Sequence, residues 1–210
     1  VLFRSGAVAV VTCDLSPAFA KGISEHLPNA ERVADRFHVV QLATRQLDRV
    51  RAAEAKESKE KRALLSRTKY IWLKNEESLT EKQAERKRSL AKEHLKTARA
   101  CAMKEALQAV YDCGTRAEAE SELDALCSWI MHSNIPQMKT VAKTIRENKA
   151  EILNYFDHRV TNAVLEGMNS VIQSAKRLAR GFSNLEYFKT VIYLKLGKLH
   201  FPQLPACATH

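Results

Sequence analysis

The sequence predicts an α/β fold of limited β content: a strand–helix–strand–helix unit at the start and a mostly helical remainder. Three observations carry this. Ala7 to Cys13 (AVAVVTC) is an unbroken Val-rich run, the pattern of a strand covered on both faces in a parallel sheet. Arg51 to about Arg99 is Lys/Glu/Arg-rich and of high helical propensity. Thr161 to Arg180 (TNAVLEGMNSVIQSAKRLAR) divides at 100° per residue into two clean faces.

The first strand runs into Asp14. Ser16 and Pro17 then read as N-cap and first helical residue of a helix reaching about Leu27, which Pro28-Asn29 stops. Glu31 to Ala34 forms a second short strand running into Asp35, and a helix follows from Phe37 to about Arg51, with Phe37, Val40, Leu47 and Val50 on its core face. Ligands of open α/β sheets gather beyond the carboxyl ends of the strands, so Asp14 and Asp35 are both expected to point into one crevice. Each could equally end a strand or cap the next helix. The pair together, in a basic chain, favours a metal or phosphate site.

Residues 51–100 hold 15 Lys and Arg against 8 Asp and Glu, so most of the excess charge sits there. Such a run is either a solvated helix face with i,i+4 pairs or a surface for DNA. Tyr70, Ile71, Trp72 and Leu73 interrupt it and are expected to anchor it to a small core. Leu90 to Tyr111, Ala117 to His132 and Ile135 to Phe156 read as three further helices, broken at Cys113-Gly114 and Ser133-Asn134, with Trp129 and Ile130 packed inside.

On the late helix, Val164, Leu165, Met168, Val171, Ile172, Ala175, Leu178 and Ala179 share the apolar face. Glu166, Asn169, Gln173, Lys176, Arg177 and Arg180 share the polar one. Gly181 stands where a left-handed C-terminal residue is wanted. Gly167 suggests that something approaches closely, since glycine inside a helix costs about 1 kcal/mol relative to Ala. One acid near the positive end of the helix dipole, followed by cations, suits a carboxylate holding a metal beside residues holding a nucleic-acid backbone. It suits a solvated surface helix as well. A last helix spans Leu185 to about Leu196, before a loose Pro-containing tail.

A formal charge of +10 and a pI near 9.5 over 210 residues point to a polyanionic partner. No apolar run approaches the roughly 20 residues of a membrane span, and VLFRSGAVAVVTCD lacks a signal-peptide cleavage pattern. Five cysteines at irregular spacing, without CxxC, argue for a reducing compartment and against a disulfide framework or zinc site, including at Cys127/His132 and His200/Cys207/His210. No Gly-rich phosphate loop, HExxH or nucleophile elbow occurs. A first residue of Val1 is expected for a fragment or processed product.

Three segments, VVTCDLSPAF, then LPNAERVADRFHVVQLATRQLDRVR, then TNAVLEGMNSVIQSAKRLARGFSNLEYFKTVIYLKLGKL, resemble the ISL-three-type insertion-sequence transposases of bacteria, from about Val8 to Leu199. The resemblance implies a DDE enzyme with an RNase H-like core, truncated at its N-terminus and carrying a large all-α insertion. Residues 1–50 would be the strand–helix–strand–helix part of that core, 51–157 the insertion, 158–200 the returning core helices, and 201–210 a loose tail. Asp14 looks like the second catalytic carboxylate and Glu166 the third, both metal ligands. Asp35 and His38, in DRFHVV, match a motif beside the site with a supporting role, as do Asn162 and Asn169 around the Glu. Lys176, Arg177 and Arg180 match the basic stretch that faces the cut strand.

The implied cofactor is a pair of Mg²⁺ (or Mn²⁺) ions, because hard ions match an all-carboxylate site. The implied partners are transposon-end and target DNA and a second copy of the protein, in the bacterial cytoplasm at the nucleoid, with no membrane. The family's first Asp lies upstream of the second, and the thirteen residues before Asp14 contain no acid. The chain is therefore expected to be inactive by itself. Two other readings stay open: a non-enzymatic basic helical nucleic-acid binder, and another two-metal nuclease on the same core.

Overall fold

The computed structural model describes residues 5–161, 163–182 and 184–197, the side chains of residues 5 and 163–166 excepted. It is mostly helical with one small parallel sheet. The chain divides into two compact units, Val1–Thr161 and Asn162–His210.

In the first unit, β1 (Val10–Cys13) pairs in parallel with β2 (Glu31–Ala34), in the register Val10↔Glu31 to Cys13↔Ala34. The strand is shorter than the apolar run, and α1 (Pro17–His26) connects it to β2. Pro17 opens α1, and the Asp14 carboxylate accepts from Ser16 N–H just before it. α1 buries none of its side chains, and Phe19 stands 58% exposed. The Val33, Ala34 end of β2 is buried instead, with α9 (Lys149–His158) packed along the strand. Asn154 donates to Arg32 O, Arg32 pairs with Glu151, and His158 meets Glu31.

α2 (Arg36–Glu54) is the axis of the unit. Val39, Ala43, Leu47 and Val50 are buried at i, i+3/i+4 spacing. The predicted core face is one residue out of phase at its start: Phe37 is 53% exposed and Val40 only partly buried. The helix begins one residue earlier, because Asp35 caps it by accepting from Phe37 N–H.

Short helices α3 (Lys59–Leu65), α4 (Lys69–Leu73) and α5 (Glu81–Ala91) carry the charged middle. α4 anchors it through Ile71 and Trp72, while Tyr70 is exposed. The expected Leu90–Tyr111 helix is two: α5 ends, His94 takes a left-handed φ of 51°, and α6 (Lys96–Val110) starts afresh. The fresh start is stabilised from a distance. Buried Glu54 accepts from Lys96 N–H, Thr97 N–H and Thr97 Oγ1, supplying the cap that Leu95 cannot.

α7 (Arg116–Met131) and α8 (Pro136–Glu147) complete the core against α2 and α6. Ile130 is buried, but Trp129 lies 40% exposed, against expectation. The expected Ile135–Phe156 helix breaks at Asn148, whose amide donates to Thr144 O while its backbone O accepts from Ile152 N–H. A side-chain amide competing with the helical ladder ends α8 and begins α9.

The second unit is a helical hairpin, α10 (Ala163–Leu178) and α11 (Leu185–Leu196). Gly181 adopts φ +100° after Arg180 at +52°, and Gly181 N–H returns to Lys176 O, closing the helix. Asn184 caps α11. Phe182 packs on Phe188 and Tyr187.

Candidate active site

Asp14 and Asp35 follow adjacent parallel strands, so both lie at the same carboxyl edge; Asp35 N–H donates to Cys13 O across it. Their environments differ sharply. Asp14 is half-buried and lines a cleft of about 440 Å³ with Cys13, Ser16, Arg32, Thr144, Glu147 and Glu151 among its walls. Its Oδ1 accepts from Ser16 N–H at 2.8 Å, and Oδ2 has no hydrogen-bond partner among the described residues. Asp35 is 3% exposed and does not line that cleft, so the expectation of two acids in one crevice holds for Asp14 alone. The reason is local: Oδ1 of Asp35 caps α2, which turns the carboxylate under the helix.

Oδ2 of Asp35 is buried without a hydrogen bond among the described residues, and His38 Nε2 stands 3.9 Å away, edge-on to the Phe37 ring. Tyr111 also feels the Asp35 charge. Its hydroxyl is buried with no hydrogen-bond partner among the described residues, its ring lies under the Arg36 guanidinium, and burial pushes its pKa well above the ordinary value.

The cleft contains two acids that the sequence did not suggest, Glu147 and Glu151. They stand either side of the Asn148 break, invisible while Ile135–Phe156 reads as one continuous helix. Glu151 is neutralised by Arg32. Burial raises the Cys13 thiol pKa, Arg32 opposes this, and the charges of Asp14, Glu151 and Asp35 reinforce it. No group of three or more His, Cys, Asp or Glu side chains among the described residues is arranged to hold a metal ion. The partial fit is Asp14: an uncommitted carboxylate oxygen at an accessible cleft suits a hard cation.

The late helix is described in its own unit. Glu166 lies in the first turns of α10, but its side chain, like Asn162, lies outside the described residues. Asn169 is exposed one turn further on. Lys176, Arg177 and Arg180 are all exposed at the carboxyl end, where cations also complement the helix dipole; Arg177 donates to Ser174 Oγ at 3.3 Å. Of the predicted apolar face, Leu178 is 81%, Met168 41% and Val171 40% exposed while Ala175 is buried, and the side chains of Val164 and Leu165 lie outside the described residues. A Cβ at Gly167 would meet nothing within 4 Å among the described residues, so none of those makes the close approach expected there.

A family model for DDE transposases of the ISL3 type, described as transposase, matches residues 4–192. The chain belongs to that transposase family. Among curated proteins, this transposase-family chain is 28% identical to the transposase for insertion sequence element IS1557 of Mycobacterium tuberculosis, over 99% of its own length and 52% of the relative's. It is 26% identical to the transposase for insertion sequence element IS1001 of Bordetella parapertussis, over 86% and 46%. The chain thus spans about half the length of the curated relatives it matches. No solved structure matches it significantly. No helix among the described residues is long and apolar enough to cross a membrane.

Proposed function

We propose that Asp14 and Glu166 are two of the three carboxylates with which a DDE transposase of RNase H-like core cuts transposon-end DNA and transfers the strand to target DNA. The observation that carries the reading is the condition of Asp14. It follows a core strand, faces a cleft, and keeps one oxygen uncommitted while the other fixes its orientation through Ser16 N–H. Asp35 lacks that freedom, which supports a positioning role for it and for His38 beside it.

Asp14 and Glu166 would hold Mg²⁺ or Mn²⁺. Bound there, the ions supply Lewis acidity at the phosphate and lower the pKa of the attacking oxygen. The chain's own residues do the rest. Asp14 is held still by its local turn, Asn162 and Asn169 flank Glu166, and Lys176, Arg177 and Arg180 hold the phosphates of the strand being cut. Arg32 keeps Glu151 neutralised beside Asp14, limiting the negative charge in the cleft. The reaction needs a third acid, so this chain alone binds DNA without nicking it. Two copies acting together, in the bacterial cytoplasm at the nucleoid, would handle the two transposon ends.

The test is cleavage of transposon-end DNA by a full-length transposase carrying this sequence. Asp14→Ala and Glu166→Ala should each abolish Mg²⁺-dependent cutting and leave DNA affinity within about twofold. Cutting retained by Asp14→Ala would overturn the assignment. Mg²⁺-dependent nicking without strand-transfer products would favour another two-metal nuclease. A non-enzymatic basic binder predicts no cutting at all, with affinity unchanged by Glu166→Gln.

A further inference from the structure

The cations of the charged middle are unevenly neutralised. Lys61 and Lys96 pair with Glu57, Lys69 with Asp48 and Lys87 with Glu105. Lys56, Lys59 and Arg62 are exposed, have no ion-pair partner among the described residues, and line one groove of about 510 Å³ between the end of α2 and α3. Ala52, Ala55 and Ser58 complete its walls. The neighbouring acids do not cancel these charges. Both oxygens of Glu57 are engaged, by Lys61 and Lys96, and Glu60 does not line the groove.

The lining also says what kind of polyanion fits. Two alanines leave room for a bulky backbone to approach. No aromatic or large apolar side chain is present to stack a base or anchor a peptide residue. Long cationic arms around a small-residue trough suit duplex phosphates, held without regard to sequence. We propose that this groove is a duplex-DNA docking site, separate in sequence from the cations at the end of α10, engaging the phosphate backbone through Lys56, Lys59 and Arg62. The proposal rests on the DNA-binding reading of the preceding section.

The test uses the full 210-residue chain and a fluorescent duplex, with affinity measured by anisotropy across a salt series. Replacing Lys56, Lys59 and Arg62 with Gln should make the slope of log K against log[salt] shallower by about 2.7, three contacts at about 0.9 each. The charge-matched control, Gln at Lys82, Arg88 and Lys92, removes exposed cations outside the groove and should leave the slope nearly unchanged. Lys56→Arg with Lys59→Arg and Arg62→Lys should retain the original slope, and unchanged thermal midpoints would exclude loss of fold. An unaltered slope in the Gln variant, or an equal change in the control, overturns the groove while DNA binding stands. Polyglutamate competing as well as unlabelled duplex overturns it in favour of an acidic peptide. Failure of the unmodified chain to bind duplex overturns the DNA reading itself.

Discussion

Glu54 illustrates how one side chain sets a boundary that no local pattern announces. It is 1% exposed, yet its charge is answered by two backbone N–H groups, the Thr97 hydroxyl and, at 3.5 Å, Lys61 Nζ. Removing the carboxylate leaves two donors at the start of α6 unsatisfied in a buried place. Glu54→Ala should therefore destabilise the chain by roughly 2–3 kcal/mol, more than an exposed cap would. Urea denaturation checks this, and a loss below about 0.5 kcal/mol would show that water replaces the carboxylate freely. The same scale separates the two strand-end acids. Both Asp14 and Asp35 were legible as candidates from their positions, but in the folded chain Asp35 is spent on a helix cap while Asp14 keeps an oxygen for the cleft.

Between elements, α2 is tied to α4 through Asp48, which accepts from Arg51 Nε at 2.8 Å and meets Lys69 Nζ at 3.3 Å. Burial pushes the Asp48 carboxyl up, but Arg51 and Lys69 outweigh it and hold the group below its ordinary value of 3.8. The sign follows directly. A carboxylate with a depressed folded value stabilises the fold fully above its unfolded value near 3.8, and that contribution is lost as pH falls through the folded value. Asp48→Asn should be less stable by no more than about 1 kcal/mol at neutral pH, since the pair is partly exposed, and the gap should close toward pH 2. Thermal melts across that range decide it, and a gap that persists at pH 2 would contradict the account. Helix breaks were the least legible feature at this scale. Asn148 ends α8 by bonding its amide back to Thr144 O, in a stretch whose apolar spacing runs on uninterrupted. The Leu90–Tyr111 reading failed likewise, because the cap of α6 comes from Glu54, more than forty residues upstream.

Across the whole molecule, the parallel strand pair, the helical middle and the closing hairpin were all legible, because each rests on short-range pattern: a Val-rich run, charge density, and a 3.6-residue period interrupted by Gly181. Burial was less legible than element type. Leu47 and Val50 are covered as expected, whereas Phe37, Trp129, Met168, Val171 and Leu178 are not. Glu147 and Glu151 enter the cleft only through the packing of α8 and α9 near β1 and β2. Family membership accords with the basic charge, and the role proposed for Asp14 directs the decisive experiment to that residue in a full-length transposase. Substituting Asp14→Cys replaces a hard oxygen ligand with a soft thiolate, which Mg²⁺ binds poorly and softer divalent ions bind well. The measurement is transposon-end cleavage by Asp14→Cys in Mg²⁺ and in Mn²⁺ or Cd²⁺. If Asp14 holds the ion, Mg²⁺ gives no product and the softer ion restores cutting; normal cutting in Mg²⁺, or none in any ion while Asp14→Glu remains active, would show that it does not.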